Sequence, residues 1–452
     1  MNGSEETVKK IDDLQDNLLG ENKVSKKIKI IIAILIIIVI LLIALSIFIY
    51  IYFNNKLKDE IDKRDEHKAD EGEDKNKDKK KEEEYLLEIN GFVEKWYDIY
   101  GNRTINISYL ENGVIPNTYK KDGVNYIKEI GEINGGRDYE SYGVNVYDLY
   151  IPYSSLERKQ RHNGIILFVH GGGFENNTKE ETEGLASRFA KLGFITANME
   201  YTNCLDKYKE KIVFRILDEI TACIKCIKKE LESQGFNGDK LELSLYGISA
   251  GAQLSLVYGF SNQNKILPLK YLMNSVGPIS LDSKYWYKPT ISNITLDNIE
   301  NCDDVIAAEN NHTFTQMDLT LNVKIMNSMY GKKYTQEDLS KLVINNVIQT
   351  ENEIYKDLYN VVKYGYPLYV IGNNTIPMLC LYGGNDDMIG VAHYCYLKKA
   401  YIDNGAEDNI TLVYMKHAGH ERFHHWVEED IIAMKKMHYL MVKFGQKYFT
   451  QD

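Results

Sequence analysis

Hydrophobic residues in this 452-residue chain fall into two regimes. From Ile30 to Phe53 they run together: 24 positions carry no charge, and only Ser46 departs from Ile, Leu, Val, Ala, Phe and Tyr. At 1.5 Å per residue such a helix would reach ~36 Å, enough for a hydrocarbon layer of ~30 Å. A cleaved leader carries a core of only ~7 to 15 apolar residues and ends at small ones. This run ends in Tyr50, Ile51, Tyr52 and Phe53, so it predicts an uncleaved transmembrane helix over 30–53. Beyond residue 85 the pattern changes. Ile165 to Val169 is a short continuous apolar run; Leu241, Leu243 and Leu245 alternate with Glu242 and Ser244; Met378 to Tyr382 and Ile410 to Met415 are further strand candidates. Between two of them Ile216, Ile220, Cys223, Ile227 and Leu231 recur at helical spacing. Strand, helix, strand in this rhythm predicts an α/β fold with a mostly parallel sheet covered on both faces.

Between the two regimes, residues 56–84 hold 10 Lys or Arg and 13 Asp or Glu, with almost nothing to bury. That composition predicts a solvated linker over 54–84. Lys23, Lys26, Lys27 and Lys29 crowd the short N-terminal side of the apolar run. Long domains translocate largely regardless of charge, so 1–29 is expected in the cytoplasm and the large C-terminal region, 85–452, outside the cell membrane. The net charge of −11 excludes nucleic acid as a partner, because phosphate binding needs a basic surface. Six cysteines in so large a chain are weak grounds for disulfides, and the Cys223/Cys226 pair falls in a helical pattern with no second pair at zinc-site spacing.

Two glycine-rich segments stand where an α/β sheet keeps its chemistry, after the carboxyl ends of strands. Gly247-Ile248-Ser249-Ala250-Gly251 follows a strand and precedes a helical pattern through Leu254, Val257 and Phe260. In that context G-x-S-x-G is a sharp turn that exposes a serine hydroxyl, and its glycines are needed where side chains would collide. His170-Gly171-Gly172-Gly173-Phe174 follows Val169. Three bare glycines let backbone N–H groups converge on one point and hold a developing negative oxygen. A phosphate loop would want a following lysine and hydroxyl, which are missing here.

HGGGF and GISAG in this order resemble the α/β-hydrolase superfamily, in particular carboxylesterases of the hormone-sensitive lipase and feruloyl-esterase-like type. The resemblance covers about 144–444. In that superfamily the acid follows a late strand as G-x-x-D and the histidine follows the last strand; Gly383-Gly384-Asn385-Asp386 and Ala418-Gly419-His420 match. It therefore implies Ser249 as nucleophile, His420 as general base then acid, and Asp386 as the carboxylate that orients it, with the N–H groups of Gly172, Gly173 and Ala250 as oxyanion hole. No metal or organic cofactor is implied, and the substrate is a small-molecule or polysaccharide-linked ester. Asp387 and His417 are the alternatives within the same loops.

Residues 283–374 exceed a plain connection and carry a helical pattern at Leu339, Leu342, Val343 and Val347, predicting a cap over the pocket. Residues 85–142 are expected to add a helix and a hairpin near the pocket mouth. A rival lies at the same place as the histidine: His420-Glu421-Arg422-Phe423-His424 matches H-E-x-x-H, the signature of a zinc peptidase. It should lie within a helix, whereas it follows a strand pattern and the Ala418-Gly419 break, and it leaves the glycine motifs unexplained. An inert binding module on the same fold is the third reading; both serine and histidine are retained against it.

Overall fold

A computed structural model describes residues 118–129, 145–203, 212–261, 266–280, 351–386, 388–420 and 428–451, together with a few positions between 302 and 349. The chain divides into two units, 1–86 and 87–452, and every described residue lies in the second. The apolar run 30–53 and the charged linker fall outside the described residues. Among the described residues no helix is long and apolar enough to cross a membrane.

Ten strands are described: β1 Thr118–Asn125, β2 Val146–Pro152, β3 Asn163–Val169, β4 Ile195–Met199, β5 Leu241–Ile248, β6 Leu269–Ser275, β7 Val343–Ile344, β8 Val347–Ile348, β9 Met378–Gly383 and β10 Ile410–Met415. Eight of them form one sheet in the order β1-β2-β4-β3-β5-β6-β9-β10. From β4 to β10 every neighbouring pair is parallel, and β1 and β2 pair antiparallel at the far edge. The helices used below are α1 Tyr153–Glu157, α2 Glu180–Lys191, α3 Ile212–Ser233, α4 Ala250–Phe260, α5 Glu353–Val362, α6 Pro367–Val370, α7 Ala392–Asp403 and α8 Glu428–Tyr448.

Side-chain alternation along each strand explains the three layers. On one face Ile165, Leu167, Leu243 and Leu245 pack with Ile216, Ile220 and Ile227 of α3, Leu254 and Val257 of α4, and Leu397 of α7. On the other, Ile166, Phe168, Tyr246 and Met273 pack with Phe189 of α2 and Met437, Met441 and Phe444 of α8. Burial on both faces is why β3 reads as a continuous apolar run from Ile165 to Val169.

One expectation changes. Val343 and Val347, counted in a helical pattern, instead pair as a two-stranded antiparallel ladder, Val343 opposite Ile348 and Ile344 opposite Val347. Two β-branched pairs separated by Asn345-Asn346 favour a strand pair over a helix, because branching restricts χ1 and Asn is a turn former. Of residues 85–142 only 118–129 are described: β1 joins the main sheet antiparallel to β2, four strands from β5, and a helical turn follows over 127–129.

The parallel register gathers the motifs on one edge. Val169 is level with Gly247, Ile248 with Ser275, Ser275 with Leu381, and Gly383 with Met415. His170, Ser249, Asp386 and His420 each follow one of these strand ends, so the topology brings them to the same rim.

Candidate active site

Ser249 sits between β5 and α4 with φ 50° and ψ −117°, a conformation L-residues avoid. Such strain costs about 1–3 kcal/mol. Every residue of α4 from Ala250 to Phe260 is buried, and a buried Leu, Val or Phe contributes ~1.5–3 kcal/mol, so the helix easily holds the elbow. The flanking glycines are required by contact. A Cβ on Gly247 would lie 2.3 Å from Gly251 O, and one on Gly251 would lie 2.2 Å from His170 O. The Ser249 N–H is fixed by Ser275 O at 2.8 Å, at the end of the neighbouring β6.

A continuous chain of hydrogen bonds runs from the serine. Ser249 Oγ lies 2.9 Å from His420 Nε2, and His420 Nδ1 lies 2.9 Å from Asp386 Oδ2. The other carboxylate oxygen, Asp386 Oδ1, accepts from Met388 N at 2.9 Å and Ile389 N at 2.7 Å. Asp386 is buried, and its two oxygens face opposite tasks: one is locked to its own loop and one is aimed at the imidazole. The loops that carry acid and histidine are stitched together by Gly384 N to Met415 O, Asn385 N to Ala418 O and Asn385 Nδ2 to His417 O. Both ring nitrogens of His420 are thereby engaged. Asp387 and 421–425 lie outside the described residues. His417 lends its backbone carbonyl to Asn385 in this loop, while it is His420 whose ring meets the serine.

Beside the serine, the glycine loop after β3 packs on the elbow: a Cβ on Gly171 would lie 3.1 Å from Ile248 O and 3.4 Å from the Ser249 Cβ. Gly172 and Gly173 have φ of 101° and 61°, the left-handed region where glycine is favoured. Each peptide of the loop has its carbonyl held from behind. Gly171 O accepts from the Tyr201 hydroxyl at 3.1 Å and lies 2.9 Å from His170 Nδ1, and Gly172 O accepts from Glu175 N and Asn176 N. Holding those carbonyls turns the N–H groups of Gly172 and Gly173 the other way, and the carbonyl bonds polarise them as donors. The N–H of Ala250, first in α4, carries the positive end of the helix dipole as well. Among the described residues none of these three N–H groups donates a hydrogen bond.

Composition and periodicity did not reveal the side chains behind the loop. Tyr201 stacks on His170, ring centroids 4.0 Å apart, and its hydroxyl lies between Gly171 O at 3.1 Å and His170 O at 3.0 Å, sharing one proton between them. Glu181 Oε2 accepts from Gly171 N at 2.7 Å. The available signal was their place: an acid eight residues past the last of the three glycines at the start of a helical pattern, and a tyrosine just past the next strand.

The BD-FAE family model, an α/β-hydrolase esterase family, matches residues 147–401, more than half of the chain. The chain belongs to the BD-FAE family. It is a carboxylic ester hydrolase with the α/β-hydrolase fold. The family match begins in β2 and ends in α7, so it takes in the glycine loop, the serine elbow and the acid loop, while His420 lies beyond it. Solved structures similar to this BD-FAE chain include a truncated carbohydrate esterase from gut microbiota, with 15% identity, TM-score 0.45, and 73% of this chain and 97% of that one covered. Esterase B from Lactobacillus rhamnosis has 12% identity and TM-score 0.43 over 81% and 97%. Est2 from Thermogutta terrifontis, phosphonylated by sarin, has 13% identity and TM-score 0.47 over 75% and 99%. At those scores the fold rests on this chain's own strand order and family match. No curated protein matches the chain.

Proposed function

We propose that the protein is a membrane-anchored serine esterase that cleaves carboxylic esters through an acyl-enzyme on Ser249, with His420 and Asp386 completing a triad. The observation that carries this reading is the pair of 2.9 Å contacts linking Ser249 Oγ, the His420 imidazole and Asp386. Attack of Oγ on the ester carbonyl passes its proton to His420 Nε2, and the imidazolium is stabilised through Nδ1 by the buried Asp386 carboxylate. The carbonyl oxygen gains negative charge and is met by the N–H groups of Gly172, Gly173 and Ala250. Collapse breaks the ester C–O bond, and His420 returns its proton to the departing alkoxide as the alcohol leaves. Water then repeats the sequence on the acyl-enzyme and releases the acid. The Ser249→Ala variant is expected to fold and to lose turnover of short-chain nitrophenyl esters; retained turnover overturns the assignment.

Residues 30–53 supply the anchor in this reading, with 1–29 in the cytoplasm and the hydrolase region 85–452 outside. The uncharged run supports a span, and the Cys302–Cys395 disulfide suits an oxidising compartment. Protease added to intact cells is expected to remove the hydrolase region; its protection would reverse the orientation. Residues 283–374 form the cap that sets acyl and alcohol preference, its return path held at Gly365 and in α6, where Leu368 N donates to Ile279 O.

A further inference from the structure

We propose that Glu181 is a positioning residue of the oxyanion hole, aiming the Gly172 and Gly173 amides by fixing the peptide that precedes them. The proposal rests on the reading of Ser249 as nucleophile. A glutamate in the first turn of a helix ordinarily serves that helix, by charge against its N-terminal amides. Glu181 instead reaches out of α2 to the Gly171 amide, ten residues back, at 2.7 Å. Its target is the one amide of the three-glycine run that is already consumed, and consuming it has a geometric effect. The peptide joining His170 to Gly171 is held at both ends, its N–H by Glu181 at 2.7 Å and its carbonyl by the Tyr201 hydroxyl, whose one proton is shared between His170 O at 3.0 Å and Gly171 O at 3.1 Å. With that plane fixed, the two following peptides start from a defined direction. A glycine run lacks the steric limits that would otherwise fix it.

An exposed carboxylate on a free side chain would aim poorly, but the base of this one is built in. Lys179, two residues earlier, is tied at three points: its N–H donates to Glu200 Oε2 at 2.8 Å, its ammonium to Asp148 Oδ2 at 2.7 Å, and its carbonyl accepts from Asn198 Nδ2 at 3.0 Å. Asp148 is buried in β2 and Asn198 in β4. The other oxygen of Glu200, Oε1, lies 3.2 Å from His170 Nε2. Glu200 thus holds the start of α2 through Lys179 N and lies beside, without a hydrogen bond to, the ring that opens the glycine loop.

The test uses the full-length protein in detergent, with nitrophenyl acetate turnover, labelling by a fluorophosphonate, and thermal unfolding. Removing one oxyanion donor costs about a hundred- to a thousandfold in kcat, so mis-aiming two through a lost anchor is expected to cost about ten- to a hundredfold. Glu181→Ala should show that fall in kcat with KM within about threefold and a matching fall in the labelling rate, both read on folded protein. Glu181→Gln, whose amide oxygen can still accept from Gly171, should recover most of the rate. Glu181→Asp keeps the charge but withdraws the oxygen by one methylene, and should behave like alanine; it also serves if the alanine variant does not fold. Unchanged kcat in folded Glu181→Ala or Glu181→Asp overturns the role, as does a loss confined to KM. Wild-type protein that is active but unlabelled at Ser249 overturns the nucleophile reading instead, and Ser249→Ala run alongside separates the two.

Discussion

Gln253 donates its side-chain amide to the carbonyl of Gly365, 2.8 Å away and 112 residues further along the chain. Gln253 is fully buried and stands one helical turn past Ser249, so the returning end of the long insertion is fastened about 6 Å along the helix from that serine. Tyr364, next to that carbonyl, is 59% exposed. In Gln253→Leu the Gly365 carbonyl loses its partner in a buried setting, which costs about 1–3 kcal/mol. Urea unfolding should show that loss, and KM for esters of long or branched acids should rise while acetate turnover stays near wild type. An equal change across the acyl series would place Gly365 away from the acyl-binding surface.

Glycines of the site divide into two kinds that mutation can tell apart. An alanine at 251 puts its Cβ 2.2 Å from His170 O and 2.3 Å from Val169 O, backbone atoms of the sheet that have no room to yield. Gly251→Ala is expected to cost about 3 kcal/mol or more, the upper end for overpacking, or to abolish soluble folding. Gly173 has open space around its missing Cβ, and the penalty there is conformational, about 1–2 kcal/mol for a left-handed L-residue. Thermal unfolding should rank the two variants in that order, while Gly173→Ala loses activity out of proportion to its small loss of stability.

Reading the sequence reached furthest where a local pattern and a chain-wide rule agree. β3 and β9 announce themselves because burial leaves short continuous apolar runs, β5 because Leu241, Leu243 and Leu245 alternate with Glu242 and Ser244, and α3 because Ile216, Ile220, Cys223, Ile227 and Leu231 repeat with the helical period. Ser249 was legible from the G-x-S-x-G turn between a strand and a helix, and Asp386 and His420 from the resemblance to the α/β-hydrolase superfamily; the parallel register makes the strand ends they follow level with one another. Glu181, Tyr201 and Lys179 were hidden, since each acts through a contact between elements that leaves no periodicity behind. Val343 and Val347 misled for the opposite reason: a spacing of four fits a helix, but the β-branched pairs around two asparagines prefer a ladder. The Cys302–Cys395 link was equally illegible, as pairing depends on which segments the fold brings together.

Asp386 is locked from one side by two backbone amides and spends its other oxygen on His420. Asp386→Asn can keep the first set of bonds with its carbonyl, but it then offers an NH2 group to Nδ1, which selects the tautomer whose Nε2 carries the proton. That nitrogen can no longer take the serine proton. We expect kcat to fall by roughly 10⁴-fold with the fold intact, read by circular dichroism and by ester turnover on the same preparation. A loss below about tenfold would show that another carboxylate orients the histidine.

Glu242 opens β5 at the far end from the serine and closes the C-terminus onto the sheet. Its carboxylate accepts from Thr450 N at 2.7 Å and Thr450 Oγ1 at 2.6 Å; Lys270 Nζ lies 3.2 Å away and His162 Nδ1 3.5 Å. Burial alone would raise this carboxyl, but the Thr450 and Lys270 contacts outweigh it and hold the group below its ordinary value. A depressed carboxylate stabilises the fold above the unfolded value of ~4.3 and loses that contribution as pH falls through its lower folded value. Glu242→Gln should therefore be less stable than wild type at pH 7, and the gap in Tm should narrow as the pH drops below ~4. A gap independent of pH would mean that the side chain acts through shape and neutral hydrogen bonds.

Cys302, within the long insertion, is bonded to Cys395 in α7, closing a loop of 93 residues. Cys395 is buried, and α7 starts six residues after Asp386, so the cross-link ties the insertion to the helix that follows the acid loop. A bond that closes so long a loop restricts the unfolded chain by up to ~4.7 kcal/mol in the chain-entropy picture, and ~2–4 kcal/mol is the usual measured range. Cys302→Ser should lose that amount in unfolding without reductant, whereas wild type and variant should converge when both are measured in dithiothreitol. Digestion without reduction should yield the 302–395 linked peptide from protein taken directly from cells. Recovery of both thiols free from that material would remove the support for an oxidising compartment, and with it one of the two arguments for an outward-facing hydrolase region.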